Sequence, residues 1–218
     1  NSDQVTVVMT STATCTSSAT ATSTGITTTV SSLAIAGSIS GGTTVCSGEN
    51  NTILTLSGSS GNIQWQSSVD NNLFTDISGE TGLSYTASNL VSTTYYRAIV
   101  SIGTCATTIT SSERIDVNTL PSQPIAINGS RIGSGTVNIS ATVNAGETID
   151  WFSNSTGGSV FLNGSGTTSF TTPSISSTTN FYAETRNLTT GCISANRTLV
   201  VATVNIDNIS QPIITGPD

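Results

Sequence analysis

The chain repeats itself with a period near 86 residues, and similarity at a fixed period of that length constrains architecture before any local propensity does. Ile63-Gln64-Trp65-Gln66 returns as Ile149-Asp150-Trp151-Phe152, and Ser92-Thr93-Thr94-Tyr95-Tyr96-Arg97-Ala98 returns as Ser177-Thr178-Thr179-Asn180-Phe181-Tyr182-Ala183. Trp65 to Trp151 and Tyr96 to Tyr182 are offsets of 86, and Cys105 to Cys192 is 87, a difference of one loop residue. Ser122-Gln123-Pro124-Ile125 recurs as Ser210-Gln211-Pro212-Ile213, so another repeat is expected to begin near the end of the chain. Val5 to Cys15 resembles Tyr95 to Cys105, which reads the first 33 residues as the last strands of a preceding unit. The expected division is therefore 1–33, 34–119, 120–206 and 207–218.

Each repeat reads as short strands. Thr136-Val137-Asn138-Ile139-Ser140-Ala141-Thr142-Val143 alternates polar with apolar residues, the period of a half-buried strand, and no segment carries the i, i+3, i+4, i+7 pattern of a helix. In the first complete unit the expected strands are 53–57, 61–66, 74–77, 84–87, 94–101 and 115–118. Turn residues lie between them, as in Ser59-Ser60-Gly61, Asp70-Asn71-Asn72 and Gly79-Glu80. Units under about 90 residues with this spacing predict two-sheet sandwiches. The short junction Asn118-Thr119-Leu120-Pro121 predicts a semi-rigid rod.

Charge excludes several functions. The 12 acidic and 5 basic residues leave a net charge of -7, every basic residue is Arg, and Lys is absent. Scattered Arg in an acidic chain does not make the cation cluster that nucleic acid requires. No apolar run approaches the roughly 20 residues of a membrane span, so direct membrane insertion is not expected. With no His and no Lys, Ser-His, Cys-His and Ser-Lys nucleophiles are absent, and so is the Lys of an internal isopeptide bond. The remaining carboxylates, Asp70, Asp76, Glu80, Glu113, Glu147 and Asp150, read as turn caps. Asp70, Asn71, Asn72 and Asp76 put oxygen donors in one hairpin loop, calcium candidates without the regular spacing of a strong site. No enzyme and no cofactor is expected. Asn-x-Ser/Thr sequons such as Asn138, Asn154 and Asn187 are expected by chance in a chain this rich in Asn, Ser and Thr.

Four cysteines are present: Cys15, Cys46, Cys105 and Cys192. Cys46 and Cys105 bracket the core of one repeat and read as its disulfide, which places the chain in an oxidising compartment. Adding 86 to Cys46 gives Ile132, so Cys192 lacks its counterpart, and the partner of Cys15 would lie upstream. For Cys15 and Cys192 a free thiol, an intermolecular bond and a mutual bond all stand, the last opposed by an extended rod. Trp65 and Trp151, with Tyr96 and Tyr182, are expected in the cores.

Gly41-Gly42-Thr43-Thr44-Val45-Cys46-Ser47-Gly48, Leu54-Thr55-Leu56-Ser57-Gly58, Ile63-Gln64-Trp65-Gln66 and Thr93 to Ala98 resemble the immunoglobulin-like repeats of giant Bacteroidetes surface proteins. The second unit, with Ile149-Asp150-Trp151, Thr171-Thr172-Pro173-Ser174 and Gly191-Cys192, is similar to a sister family, departing from it at Ile132, where Cys is usual. The resemblance implies an all-β fold of tandem immunoglobulin-like β-sandwiches arranged as an extended rod. It also implies secretion by the type IX route, display on the bacterial cell surface, and a stalk or adhesive role of the kind seen in SprB-like gliding-motility adhesins. The implied partners are neighbouring repeats of the same chain, surface glycans and other cell-surface proteins. A carbohydrate-binding accessory module of a secreted polysaccharide-degrading enzyme is the alternative. Tyr95, Phe74, Phe161 or Phe181 on an open platform would mark it.

Overall fold

A strand half buried in a sandwich hides every second side chain, and the chain obeys this rule closely. In Asn51–Ser57, Thr52, Leu54 and Leu56 are buried and the residues between them are exposed. In Thr94–Ser101, Thr94, Tyr96, Ala98 and Val100 are buried in the same alternation. The computed structural model describes residues 2–10, 12, 20–29, 32–103, 106–162 and 167–206. All regular secondary structure among them is strand. The chain divides into two units: Asn1–Thr43, Asn51–Ser88 and Thr93–Asp116 form the first, and Thr44–Asn50, Asn89–Ser92 and Val117–Asp218 the second.

The first unit begins with β1 (Ser2–Val5), β2 (Val8–Thr10), β3 (Thr20–Thr22) and β4 (Ile26–Thr29). β1 pairs with β4 and β2 with β3, both antiparallel. β5 (Ser38–Ser40) follows, then β6 (Thr44–Cys46), which falls in the second unit. The rest are β7 (Asn51–Ser57), β8 (Asn62–Ser68), β9 (Thr75–Asp76), β10 (Ser84–Ser88), β11 (Thr94–Ser101), β12 (Thr108–Ile109) and β13 (Glu113–Asn118). One sheet runs β10-β7-β5; the other contains β13-β11-β8-β9, with β12 also on β11. Trp65 on β8 meets Tyr85 on β10 at 5.9 Å between ring centroids, so an aromatic pair links the two sheets. Leu54, Leu56, Ala87, Tyr96, Ala98, Val100 and Ile115 fill the space around it.

The expected strand 94–101 is found with the same bounds, and its neighbours differ by a few residues at their ends. The largest difference is at 61–66, found as Asn62–Ser68, while 74–77 shortens by one residue at each end to Thr75–Asp76.

In the second unit β14 (Ile125–Ile127), β16 (Asn138–Thr142) and β19 (Ser169–Thr171) form a sheet in the order β14-β16-β19. The opposing sheet contains β15 (Gly129–Ile132), β17 (Glu147–Phe152), β18 (Val160–Leu162), β20 (Thr179–Asn187) and β21 (Thr198–Asn205), in the order β15-β21-β20-β17-β18. β15 runs parallel to β21, while every other neighbour in this sheet is antiparallel. Trp151 on β17 stacks on Phe170 of β19 at 5.6 Å, the counterpart of the Trp65–Tyr85 pair. Val137, Ile139, Ala141, Ile149, Phe181, Ala183, Val200 and Ala202 complete this core.

The fold is therefore all-β, with two immunoglobulin-like sandwich units in tandem along the sequence. Trp65, Trp151 and Tyr96 are buried. Tyr182 is not the core residue expected of it: it is half buried, and Phe181 occupies the core at 3% exposure. The register explains the correction. Ala98 lies opposite Trp65 and Ala183 opposite Trp151, so the true offset along these strands is 85 and the equivalent of Tyr96 is Phe181. With a side-chain period of two, a shift of one residue turns Tyr182 to the outer face. The further repeat expected from residue 207, like Cys15 and Cys105, lies outside the described residues.

Candidate functional site

The loop between β8 and β9 was the candidate for calcium, and one carboxylate oxygen each of Asp70 and Asp76 is bonded within the fold. Asp70 Oδ1 accepts from Ser68 Oγ at 2.7 Å and from the backbone N–H groups of Asn72 and Leu73 at 2.9 Å each. Asn71 sits at φ 58, a left-handed conformation that Asn tolerates better than most residues. The hydroxyl of Ser68, then the two amides, hold the Asp70 carboxyl below its ordinary 3.8, because each donor favours the charged form. Asp76 Oδ1 accepts from Gln66 Nε2 at 2.7 Å, and Gln66 Oε1 accepts from Arg97 Nε at 2.7 Å. The arrangement is an Asx-type turn followed by a polar chain across β9, β8 and β11. Among the described residues no group of three or more His, Cys, Asp or Glu is placed to hold a metal ion.

Of the four aromatics named for a sugar platform, Phe74 and Tyr95 belong to the first unit and Phe161 and Phe181 to the second. The Arg97 guanidinium lies 4.0 Å from the centre of the Phe74 ring, and that of Arg114 lies 5.9 Å from the centre of Tyr95. Phe181 is buried. Phe161, 45% exposed, packs on Phe170 at 5.4 Å and Phe181 at 5.9 Å.

The carboxylates divide between turns and strands. Glu147 Oε2 accepts from the N–H of Asn144 at 3.0 Å, and Glu113 Oε1 from that of Gly42 at 2.9 Å, both capping roles. Asp150 departs from the turn reading. It stands in the middle of β17, fully buried and directly opposite Glu184 on β20. Two like charges in that position would repel, and each has its own guanidinium. Arg186 is ion-paired to Asp150, its Nε donating at 2.8 Å. Arg197 Nε donates to Glu184 Oε1 at 3.2 Å. The same Arg197 donates to the carbonyls of Asn154 at 2.9 Å and Gly157 at 2.6 Å, and lies 3.2 Å from the centre of the Phe152 ring. Charge balance on a buried face requires cations near the strand that carries Asp150. Arg186 and Arg197 follow it in the sequence, but Arg131 lies nearer along the chain, so within residues 120–206 composition limits the candidates to three without choosing among them.

Cys46 is bonded to Cys192, not to Cys105, and Cys192 is neither free nor intermolecular. The reading from bracketing failed because it kept Cys46 with the core of its own repeat. The segment Thr44–Asn50 instead belongs by contact to the second unit. Ser47 N–H donates to Asn118 O at 2.9 Å, and Gly48 N–H to Leu90 O at 3.0 Å. Asn50 Nδ2 donates to Cys46 O at 2.7 Å and Leu90 O at 2.9 Å. These bonds hold Cys46 with its Cα 5.7 Å from that of Cys192, within reach of a disulfide. A cavity of about 570 Å³ borders the bond, lined by Gly48, Glu49, Leu120, Arg186 and Ile193 among others.

Comparison with known proteins places family models on both halves. Residues 35–119 match a domain of unknown function (DUF8696), and residues 121–205 match the family described as "Ig-like domain CHU_C associated". Among solved structures, the chain is similar to the fibronectin(III)-like modules of Clostridium thermocellum CbhA, with 9% identity and a TM-score of 0.42, covering 79% of this chain and 96% of that one. It is also similar to the FN1-FN3 domains of chicken CNTN1, with 13% identity and a TM-score of 0.28, covering 72% of this chain and 63% of that one. No curated protein matches the chain.

Proposed function

We propose that the chain is a structural and adhesive repeat segment, a stalk, of a large bacterial cell-surface adhesin or filament. In this reading residues 34–119 and 120–206 are two complete modules between parts of two more, and the parent is an SprB-like protein exported by the type IX route for gliding motility. One observation carries it: the side chains able to do chemistry are tied into the fold. Both tryptophans are fully buried, Phe74 and Tyr95 lie under Arg side chains, and Asp70, Asp76, Asp150 and Glu184 all accept hydrogen bonds from neighbouring groups. The exposed surface mixes hydroxyls and amides with apolar side chains such as Val69, Leu73 and Val91, which can space and contact but carry no catalytic group. The Cys46–Cys192 disulfide supports an extracytoplasmic location, since such bonds persist where thiols are oxidised.

Two measurements test the reading. Antibodies against the purified chain are expected to label intact, unpermeabilised cells, and the chain is expected to bind no sugar on a glycan array. Glycan binding that Phe161→Ala abolishes would overturn the spacer role in favour of an accessory carbohydrate-binding module.

A further inference from the structure

We infer that the Cys46–Cys192 bond is a mechanical clasp: under tension along the chain it carries force past residues 47–191 and keeps strands β7 to β20 from being drawn out. The inference rests on the stalk reading for its purpose but on covalent connectivity for its action. The two sulfurs are separated by 146 positions in sequence and joined directly in space. A pull on the two ends of the chain therefore runs through residues 1–46, crosses the disulfide, and leaves along residues 192–218. Everything between is a closed covalent loop. Hydrogen bonds inside it can break by thermal unfolding, but the loop cannot lengthen the chain until a covalent bond is cut.

The strand that takes the load on the far side is suited to it. Force entering at Cys192 passes Ile193 to Arg197 and then along the axis of β21. That strand is already extended, hydrogen-bonded antiparallel to β20 from Thr198 to Ala202 and parallel to β15 from Ala202 to Asn205. A pull along a strand loads the ladder bonds on both sides in parallel rather than opening them one at a time. Arg197, at the start of β21, is anchored further by Glu184 and by the carbonyls of Asn154 and Gly157. Cys192 is 1% exposed, so its sulfur is closed to passing thiols, while the half-buried Cys46 borders the cavity.

The test is single-molecule stretching of the wild-type chain, folded in an oxidising compartment and held by its two termini, before and after reduction with a phosphine. At about 3.4 Å per extended residue, reduction is expected to add about 500 Å to the fully unfolded length, from the 146-position separation. No added length, or about 200 Å as Cys46 bonded to Cys105 would give (105 − 46 = 59 positions), overturns the clasp. Tryptic mapping without reduction checks the same bond in bulk. Cleavage after Arg97, Arg186 and Arg197 is expected to leave peptide 187–197 joined to 1–97, and to do so in Cys15→Ser as well. Peptide 98–114 joined to 1–97 in its place also overturns it. Neither result depends on what the surface binds, so a glycan ligand would end the stalk reading and leave the clasp standing.

Discussion

The indole N–H of Trp65 donates to the carbonyl of Gly82 at 2.9 Å, whereas the indole N–H of Trp151, equally buried, has no partner among the described residues. The two tryptophans fill equivalent places, yet only one satisfies its polar atom. Replacement by Phe should separate them. Trp65→Phe loses volume and leaves the Gly82 carbonyl without its donor, at a cost of about 1–3 kcal/mol beyond the packing loss. Trp151→Phe loses the volume and removes an unsatisfied donor, so it is expected to be the milder change. Chemical denaturation of the two variants checks the order.

Tyr96 makes the first unit sensitive to alkali. Burial, followed by the nearby Tyr85 phenol, pushes its hydroxyl up from 10.0 to about 12. A folded-state value above the unfolded one means that its stabilising contribution is complete below pH 10 and is lost as pH rises toward about 12. The denaturation midpoint is expected to fall across that window. Tyr96→Phe, with nothing to ionise, should fall less, and its phenolate absorbance should lack the latest-titrating component.

How far the sequence speaks depends on whether the determinant is periodic. The strand at 94–101, the burial of Trp65 and Trp151 and the two-sheet cores all follow from alternation and the repeat, because a pleated strand against a core enforces a period of two. Matching by residue type misassigns Tyr182: the returning block Ser177–Ala183 lies 85 positions after Ser92–Ala98 and aligns Tyr96 with Phe181, whereas pairing the two tyrosines takes 86. An offset of 86 measured at the tryptophans becomes 85 on the next strand, and one residue of slip exchanges core for surface. The Cys46–Cys192 bond was not legible, since cysteine spacing counts possible pairings but does not rank them. The segment around Cys46 is placed by bonds from the backbone N–H groups of Ser47 and Gly48 and the side-chain amide of Asn50 to Asn118 and Leu90, 40 or more positions away, and these leave no local pattern. Asp150 was misplaced for a related reason. A carboxylate between Ile149 and Trp151 looks like punctuation until its Arg partner, 36 positions on, is seen.

Acid should loosen the turn at Asp70. Its carboxyl is held below 3.8 by Ser68 Oγ and then by the amides of Asn72 and Leu73. A depressed folded value gives stability that is present above 3.8 and is lost as pH falls through the folded value. The denaturation midpoint is expected to drop on acidification, and Asp70→Asn, which keeps an acceptor oxygen but does not titrate, should flatten part of that drop. Added calcium should leave both proteins unchanged. A calcium-dependent rise in the wild type that the Asn variant lacks would assign the loop to the ion.

Arg197 is expected to be the cation least replaceable in the second unit. Its side chain and that of Glu184 are 11% and 10% exposed, so the pair is largely desolvated, and the guanidinium also serves two carbonyls and the Phe152 ring. Lys keeps the charge but not the planar fork, so Arg197→Lys should cost about 1–3 kcal/mol, the value of a buried polar group left unpaired. Arg197→Met strands the Glu184 carboxylate opposite Asp150 and should cost about 3–5 kcal/mol, the usual penalty for breaking a buried pair from one side. If that penalty comes from uncompensated charge and not from lost packing, adding Glu184→Gln to Arg197→Met restores a large part of it. A double variant no more stable than Arg197→Met alone would mean instead that Arg197 acts chiefly through Phe152 and the 154–157 loop. Urea denaturation of the wild type, Arg197→Met, Glu184→Gln and the double variant separates the two accounts, because a charged pair leaves the double variant less destabilised than the sum of the two single losses, whereas independent losses add.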